Sequence, residues 1–159
     1  MAKIVAVGID QLAKQFSDVA DSTGRIAKKS LYEGSGFLAD KLRNATENLV
    51  VEDRRVHPSK RVLDYEKEAL LNGLTIEKFK DSRALDCVET SVTFHGRSTH
   101  RTEQYPDGVP ALLLARSINK GTPFRTANRF FPNTVNRNRK DAEERMVKTA
   151  EAEMKKILK

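Results

Sequence analysis

Three histidines and one cysteine are the side chains of this sequence best suited to acid–base, nucleophilic or metal chemistry. His95 and His100 are five positions apart in a stretch without an apolar pattern, and His57 lies far from both. No cysteine stands beside them and no His-Glu-x-x-His pair is present, so the spacing does not match a zinc site. Cys87 has no base at a recognisable spacing, and we interpret it as a small packing residue. The sequence therefore predicts no catalytic residue, no metal ligand and no cofactor.

The run Gly34-Ser35-Gly36 has the composition of a phosphate-binding loop. It lies inside a helical apolar pattern rather than between a strand and a helix, and no Lys-Ser or Lys-Thr follows it, so we exclude a phosphate loop here. A glycine inside a helix costs about 1 kcal/mol relative to alanine. We expect another backbone to pack close to these glycines, and a looser helix is the alternative.

Positive charge is concentrated in one part of the chain. The net charge is +7, and residues 116–140 contain seven basic and no acidic residues, while the rest of the chain is nearly balanced. Such a stretch favours an anionic partner, either nucleic acid or an acidic protein face. A solvated basic loop and helix start is the alternative. The basic residues predicted to meet DNA or an acidic partner are Arg116, Lys120, Arg137, Arg139 and Lys140.

Phenylalanines stand among arginines within the same stretch. Protein interfaces concentrate this mixture because each side chain combines large contact area with directional bonds. Single-stranded nucleic acid also binds such mixtures, by stacking bases on the rings. A third reading is that the phenylalanines only pin the last helix to the sheet. We predict that five residues serve both the core and an interface: Phe124, Arg125, Arg129, Phe130 and Phe131.

The composition is that of one soluble domain spanning residues 1–159. Apolar residues make up 38% and charged residues 32% of the chain, which is enough to form a core. No apolar run approaches the roughly 20 residues of a membrane-spanning helix, and the amphipathic N-terminus does not read as a signal peptide. A single cysteine excludes an internal disulfide framework. We expect a protein that is made and kept in a cytoplasm.

Apolar periodicity predicts helices in the first part of the chain. Residues 3–7 read as a short strand, and a helix begins at Ile9. The polar run at residues 21–24 is expected to break that helix and to cap a second one, which runs to about Asn48. A further helix is predicted at residues 62–71.

The middle of the chain is predicted to change from helix to strand. Asn72-Gly73 is expected to end the third helix in a left-handed conformation, and residues 75–78 to begin one more helical turn. Residues 88–94 alternate with a period of two, which predicts one half-buried strand that turns at His95-Gly96.

The last part of the chain returns to helical periodicity. Pro110 is expected to open a short helix that Gly121 ends, and the final helix to begin near Asn133. The predicted fold class is α+β, with N-terminal helices and a long C-terminal helix packed on a small, mostly antiparallel sheet.

Short motifs follow one another in a distinctive order in the second half of the chain. The first two motifs are Tyr105-Pro-Asp-Gly108-Val-Pro110 and Leu113-Leu114-Ala115-Arg116. They are followed by Gly121-Thr122 and by residues 130–136, which lead into a charged helix. In this order the chain resembles the small neck or putative tail-component proteins of tailed bacteriophages, which are encoded between the capsid and tail genes. Residues 7–12, 28–40 and 92–96 also resemble that family, and residues 50–82 resemble it least.

The chain departs from the family pattern at several positions. Arg129 stands where the family usually has proline before phenylalanine, and Pro132-Asn133 stands where it has Arg-Pro. Asn119 replaces a usual glutamate, and the family's Pro-x-x-Thr-Gly motif after the second helix is missing.

The resemblance implies a structural virion protein rather than an enzyme. Such a protein is expected to form a ring, of six copies by analogy with tail symmetry, at the head–tail junction or the upper end of the tail. Its partners would be copies of itself, neighbouring neck, connector and tail proteins, and genomic DNA in the channel, with no membrane. It would be assembled in the bacterial host cytoplasm and kept in the virion. The alternative is a stand-alone nucleic-acid-binding protein that uses residues 116–140.

Overall fold

The computed structural model describes residues 9–51, 62–82, 87–123 and 125–158. The strand predicted at residues 3–7, together with His57 and Phe124, lies outside these ranges. The described chain has α+β architecture, as predicted, with helices α1 to α4 and strands β1 to β4. In chain order these are α1 (Ile9–Glu47), α2 (Asp64–Gly73), β1 (Leu74–Ile76), β2 (Lys80–Ser82), β3 (Cys87–Glu89), β4 (Val92–Phe94), α3 (Ala111–Lys120) and α4 (Phe130–Ile157).

Helix α1 continues without interruption through residues 21–24, where we predicted a break. The hydroxyl of Thr23 donates a hydrogen bond to the carbonyl of Val19, 3.0 Å away and one turn back, so it is satisfied inside the helix instead of capping a new one. Gly24 costs a helix about 1 kcal/mol, and packing of α1 along α4 offsets that cost. The predicted break was wrong because tertiary packing outweighs a local helix-breaking pattern. The predicted end near Asn48 is confirmed.

Helices α1 and α4 pack against each other in antiparallel orientation. Lys29 of α1 contacts Glu153 of α4, and the guanidinium of Arg145 lies 4.4 Å from the ring centroid of Phe37. Ala142 of α4 is buried, and Met146 and Ala150, farther along the helix, are half-buried. We call this pair of helices the α1–α4 hairpin.

Two lysines stabilise the charged form of Glu153 in the α1–α4 hairpin. Lys156, on the same helix, and Lys29, on α1, donate hydrogen bonds of 2.6 and 2.7 Å to Glu153 Oε1. These bonds, with that of Lys156 the stronger effect, lower the pKa of Glu153 from 4.5 to about 2. The carboxylate therefore remains ionised, and remains a bridge between the helices, throughout the physiological pH range.

Helix α4 begins at Phe130, earlier than the predicted start near Asn133. The side-chain oxygen of Asn119, at the end of α3, accepts a hydrogen bond of 3.2 Å from the N–H of Phe131. This bond satisfies one of the N–H groups that every helix start leaves unpaired. Pro132 lies in the first turn, where its missing N–H has no cost. The cap comes from another helix, so the sequence around residue 133 does not show it.

The strands form two separate two-stranded antiparallel sheets, β1 with β4 and β2 with β3. Residues 74–76 form a strand that pairs Thr75 with Thr93, so the helical turn predicted there was wrong. The single strand predicted over residues 88–94 is two strands. The hydroxyl of Thr90 donates to the carbonyl of Glu77 (2.7 Å) and Ser91 donates to the Glu77 carboxylate (2.7 Å), so both residues turn away between β3 and β4.

Gly73 ends α2, but it does not adopt the left-handed conformation that we predicted. Among the described glycines only Gly96, Gly108 and Gly121 have positive φ. A Cβ at Gly73 would collide with the carbonyl oxygen of His95 and lie 3.2 Å from the Cβ of Ala111. The N–H of His95 donates a 2.7 Å hydrogen bond to the carbonyl of Gly73. Glycine is needed here for close approach of two backbones. The turn at Gly96 and the end of α3 at Gly121 are confirmed.

The core lies at one end of the α1–α4 hairpin, where all four helices and the β1–β4 sheet meet. Its fully buried side chains include Leu42 of α1, Leu70 of α2 and Ile118 of α3. Phe94 of β4 and Phe130 of α4 complete the cluster. This core fixes the position of β4, α3 and the start of α4, which carry the candidate site.

Replacement of Gly73 by alanine tests the close approach. Gly73→Ala is expected to lower the free energy of unfolding by about 1–3 kcal/mol, because the His95 carbonyl must move. Gly36→Ala is the matched control: this glycine is also helical, has open space around its Cβ position, and should raise stability by about 0.5–1 kcal/mol. Urea unfolding followed by circular dichroism measures both. Equal effects of the two substitutions would contradict the assignment.

Candidate functional site

The two described histidines contact different residues and do not form one site. His95 Nε2 lies 3.7 Å from a carboxylate oxygen of Glu77, whereas the His100 ring stacks on Tyr65 with centroids 4.6 Å apart. Ser91, Lys80 and His95 together lower the pKa of Glu77, with the Ser91 hydrogen bond the largest cause. In the described ranges no group of three or more His, Cys, Asp or Glu side chains is placed to hold a metal ion.

The other residues considered for chemistry occupy structural positions. Cys87 is half-buried in β3, with its sulfur 3.9 Å from a carboxylate oxygen of Glu89. The Gly34-Ser35-Gly36 run is helical, as interpreted from the sequence, and Ser35 donates to the carbonyl of Tyr32 (3.2 Å). Gly34 packs closely, but against the side chain of Met146 rather than a backbone, and Gly36 has open space around its Cβ position.

Arg125 forms a buried ion pair inside the subunit. Its Nη2 donates to both carboxylate oxygens of Glu66, at 2.8 and 2.6 Å, and only 13% of the Arg125 side chain and 6% of that of Glu66 are exposed. One oxygen of Glu66 also accepts a 2.9 Å hydrogen bond from the N–H of Leu63 at the start of α2. The pair therefore ties the loop before α4 to α2. Arg125 was predicted as an interface residue, and its guanidinium is instead committed within the chain.

The two described phenylalanines of the same segment also point largely inward. Phe130 is a core residue that is 7% exposed. Phe131 is half-buried and contacts Phe94 edge-to-face, with ring centroids 5.9 Å apart. Of the five residues predicted for the interface, Arg129 is exposed and Phe131 borders a surface groove. An interface role for these two stays a prediction.

The predicted basic residues are exposed at the surface. Arg139 pairs with Glu143 one turn along α4 at 2.7 Å, which raises the pKa of Arg139. Arg116, Lys120 and Arg137 have no carboxylate partner within the part of the chain that the structure describes. The segment thus splits into an inward set, which builds the fold, and an outward set of cations.

A groove of about 390 Å³ runs between β4, α3 and the start of α4, and we call it the edge groove. Phe94 and Phe131 lie at its apolar floor, and Leu112 and Leu113 of α3 are 56% and 39% exposed. Arg116 lines it toward the end of α3. The sequence carried a signal for this surface that we missed: a helix buries one stripe, so the run of residues 112–114, three leucines, cannot all face the core.

A second apolar groove of about 370 Å³ follows the α1–α4 hairpin away from the core, and we call it the hairpin groove. It is lined almost entirely by apolar atoms, with Ile26 and Leu31 from α1 and Met146 and Ala150 from α4. Val147 on its rim is 55% exposed. No helix within the described residues combines the length and apolar character needed to cross a membrane.

Substitution of Arg125 tests the buried ion pair. Arg125→Met is expected to cost about 3–5 kcal/mol of unfolding free energy, because it leaves the Glu66 carboxylate buried without a counter-charge. Adding Glu66→Gln should recover more than half of the loss, since the amide oxygen still accepts the Leu63 N–H. Arg129→Met, at an exposed position, is the control and should stay within about 0.5 kcal/mol of the parent. Equal urea midpoints for Arg125→Met and Arg129→Met would contradict the structural role.

Comparison with known proteins adds no family to this description. No protein-family model, no curated protein and no solved structure matches the chain. The two grooves and the outward cations are therefore characterised by their geometry and chemistry alone.

Proposed function

We propose that this chain is a structural subunit of the neck or tail-completion region of a tailed bacteriophage, where copies assemble into a ring. The observation that carries the proposal is that the part of the chain that the structure describes leaves two separate apolar grooves uncovered. Phe131 in the edge groove and Ala150 in the hairpin groove are about 28 Å apart along α4 at the rise of an α-helix. A ring subunit of this region needs surfaces both for the neighbouring copies in its ring and for the other proteins of the particle that it joins.

The exposure of large apolar side chains supports assembly into an oligomer rather than a monomeric state. Leu112 and Val147 are more than half exposed, and Phe16, near the open end of the hairpin, is 62% exposed. Leu112 and Val147 border the two apolar grooves, and contiguous apolar surface that is left exposed marks interaction sites in folded proteins. The order of motifs that resembles phage neck and tail-component proteins gives the assembly its proposed setting.

A nonsense mutation in the gene tests the proposal in the phage that encodes it. Heads and tails are expected to accumulate unjoined, and the wild-type gene supplied in trans should restore infectious particles. Val147→Glu, which places a charge in the hairpin groove, should reduce self-association by light scattering and fail to complement. Lys148→Glu, at the adjacent residue outside the groove, introduces the same carboxylate with a larger change in net charge (two units instead of one), and it should still complement.

Two outcomes would count against this function. Normal, infectious particles from the nonsense mutant would exclude a required neck or tail role. Absence of the protein from purified mature particles by mass spectrometry would exclude a structural place in the virion.

A stand-alone nucleic-acid-binding protein is the second candidate, and the outward cations favour it. Five exposed basic residues of the segment lie without a carboxylate partner among the described residues: Arg116, Lys120, Arg129, Arg137 and Lys140. If all five neutralise phosphates, the logarithm of DNA affinity should fall with the logarithm of salt concentration with a slope between about 3 and 5. Filter binding measures this slope. No retention at about 50 mM salt would end this candidate.

A further inference from the structure

We propose that the edge groove binds an extended acidic peptide segment of another protein, with one large apolar side chain in the groove and a carboxylate on α3. The proposal deepens the function above, because it names the chemistry of a partner that a neck or tail subunit would meet. The binding itself depends only on the groove.

The polar groups that line the groove are predominantly hydrogen-bond donors. Arg116, Asn119 and Lys120 lie at i, i+3 and i+4 on α3, so they share one face of the helix. The side-chain oxygen of Asn119 is already used by the N–H of Phe131, which leaves its NH₂ group as the free function. None of the described residues that line the groove is acidic. Three convergent side-chain donors, two of them cationic, favour a carboxylate ligand.

The floor of the groove accommodates an apolar side chain. It consists of Phe94 and Phe131 in edge-to-face contact, with Ala115 and Leu113 from α3 at the sides. A volume of about 390 Å³ exceeds that of one leucine or phenylalanine side chain, so part of the peptide backbone also fits. An apolar anchor beside a charge-assisted contact is the usual composition of a small hot spot.

Strand β4 adds backbone groups at one side of the groove. The N–H of His95 donates to the carbonyl of Gly73, and the N–H of Glu77 donates to the carbonyl of Ser91. In an antiparallel pair this register points the backbone N–H and C=O groups of odd-numbered residues along β4 toward β1. The N–H and C=O of Val92 therefore point away from β1, and they have no hydrogen-bond partner among the described residues. An extended segment lying along this edge could bond to them.

The same features favour peptide over nucleic acid. Binding of single strands relies on exposed ring faces on which bases stack. Of the two rings in the groove, Phe94 is 3% exposed and Phe131 is half-buried against it. The remaining contact surface is aliphatic, with Leu112 and Leu113 exposed beside the cations.

Fluorescence anisotropy on the purified full chain tests the assignment. The probe is a fluorescein-labelled peptide of alternating leucine and glutamate, and the control peptide has glutamine in place of glutamate. The acidic peptide should bind at least about tenfold more tightly than the neutral one, since it alone offers carboxylates to the donors. The double variant Arg116→Gln/Lys120→Gln should lose about tenfold in affinity. Arg137→Gln/Lys140→Gln removes the same charge outside the groove and should change affinity less than about twofold.

Several results would overturn the proposal. Equal binding of the two peptides, or equal loss in the two double variants, would show a non-specific charge effect. Displacement of the peptide by oligo(dT) would show that the groove binds nucleic acid. A decrease in the oligomeric mass of the protein when peptide is added would show that the peptide displaces a second copy of this chain from the groove. Because peptide binding is measured on isolated protein and joining of heads to tails in the phage, either proposal can fail while the other stands.

Discussion

The rest of the subunit depends on the packing of α4 along α1. The side chain of Met146 lies against Gly34, which allows the two helices to approach closely, and Glu153 bridges them through lysines of both helices. At the other end of the hairpin, Leu42 of α1 and Phe130 of α4 enter the same core. The hairpin therefore fixes the direction in which α4 leaves the core, and with it the walls of both grooves.

Local sequence patterns predicted those elements whose ends are determined locally. Helix α3 lies between Pro110 and Gly121, as expected, because a proline start and a glycine end act on neighbouring residues only. Predictions from local sequence were wrong where contacts with distant residues determine the conformation. The predicted helix break at residues 21–24 was wrong because α1 packs along α4. The predicted left-handed conformation at Gly73 was wrong because the backbone of His95 lies against this glycine. The helical turn predicted at residues 75–78 was wrong because β1 pairs with β4.

The segment rich in phenylalanine and arginine was identified correctly as unusual, but its composition has two causes that sequence cannot separate. Arg125 meets Glu66, which is 59 positions away, and no spacing rule announces such a pair. Phe130 fills the core, while Arg116 and Lys120 face outward beside the exposed leucines of α3. From sequence alone, an arginine that forms a buried ion pair within the fold cannot be distinguished from an arginine that is available to bind a partner.

The order of the helices also affects how the protein is made. All of α2, α3 and the described strands lie between α1 and α4 in sequence. During translation α1 therefore leaves the ribosome well before α4 exists to cover it. Contacts between distant parts of a chain form late, because closing a long loop costs entropy before any contact rewards it. Until then Ile26, buried in the finished fold, faces water, and the nascent helix is exposed to aggregation or to capture by a chaperone.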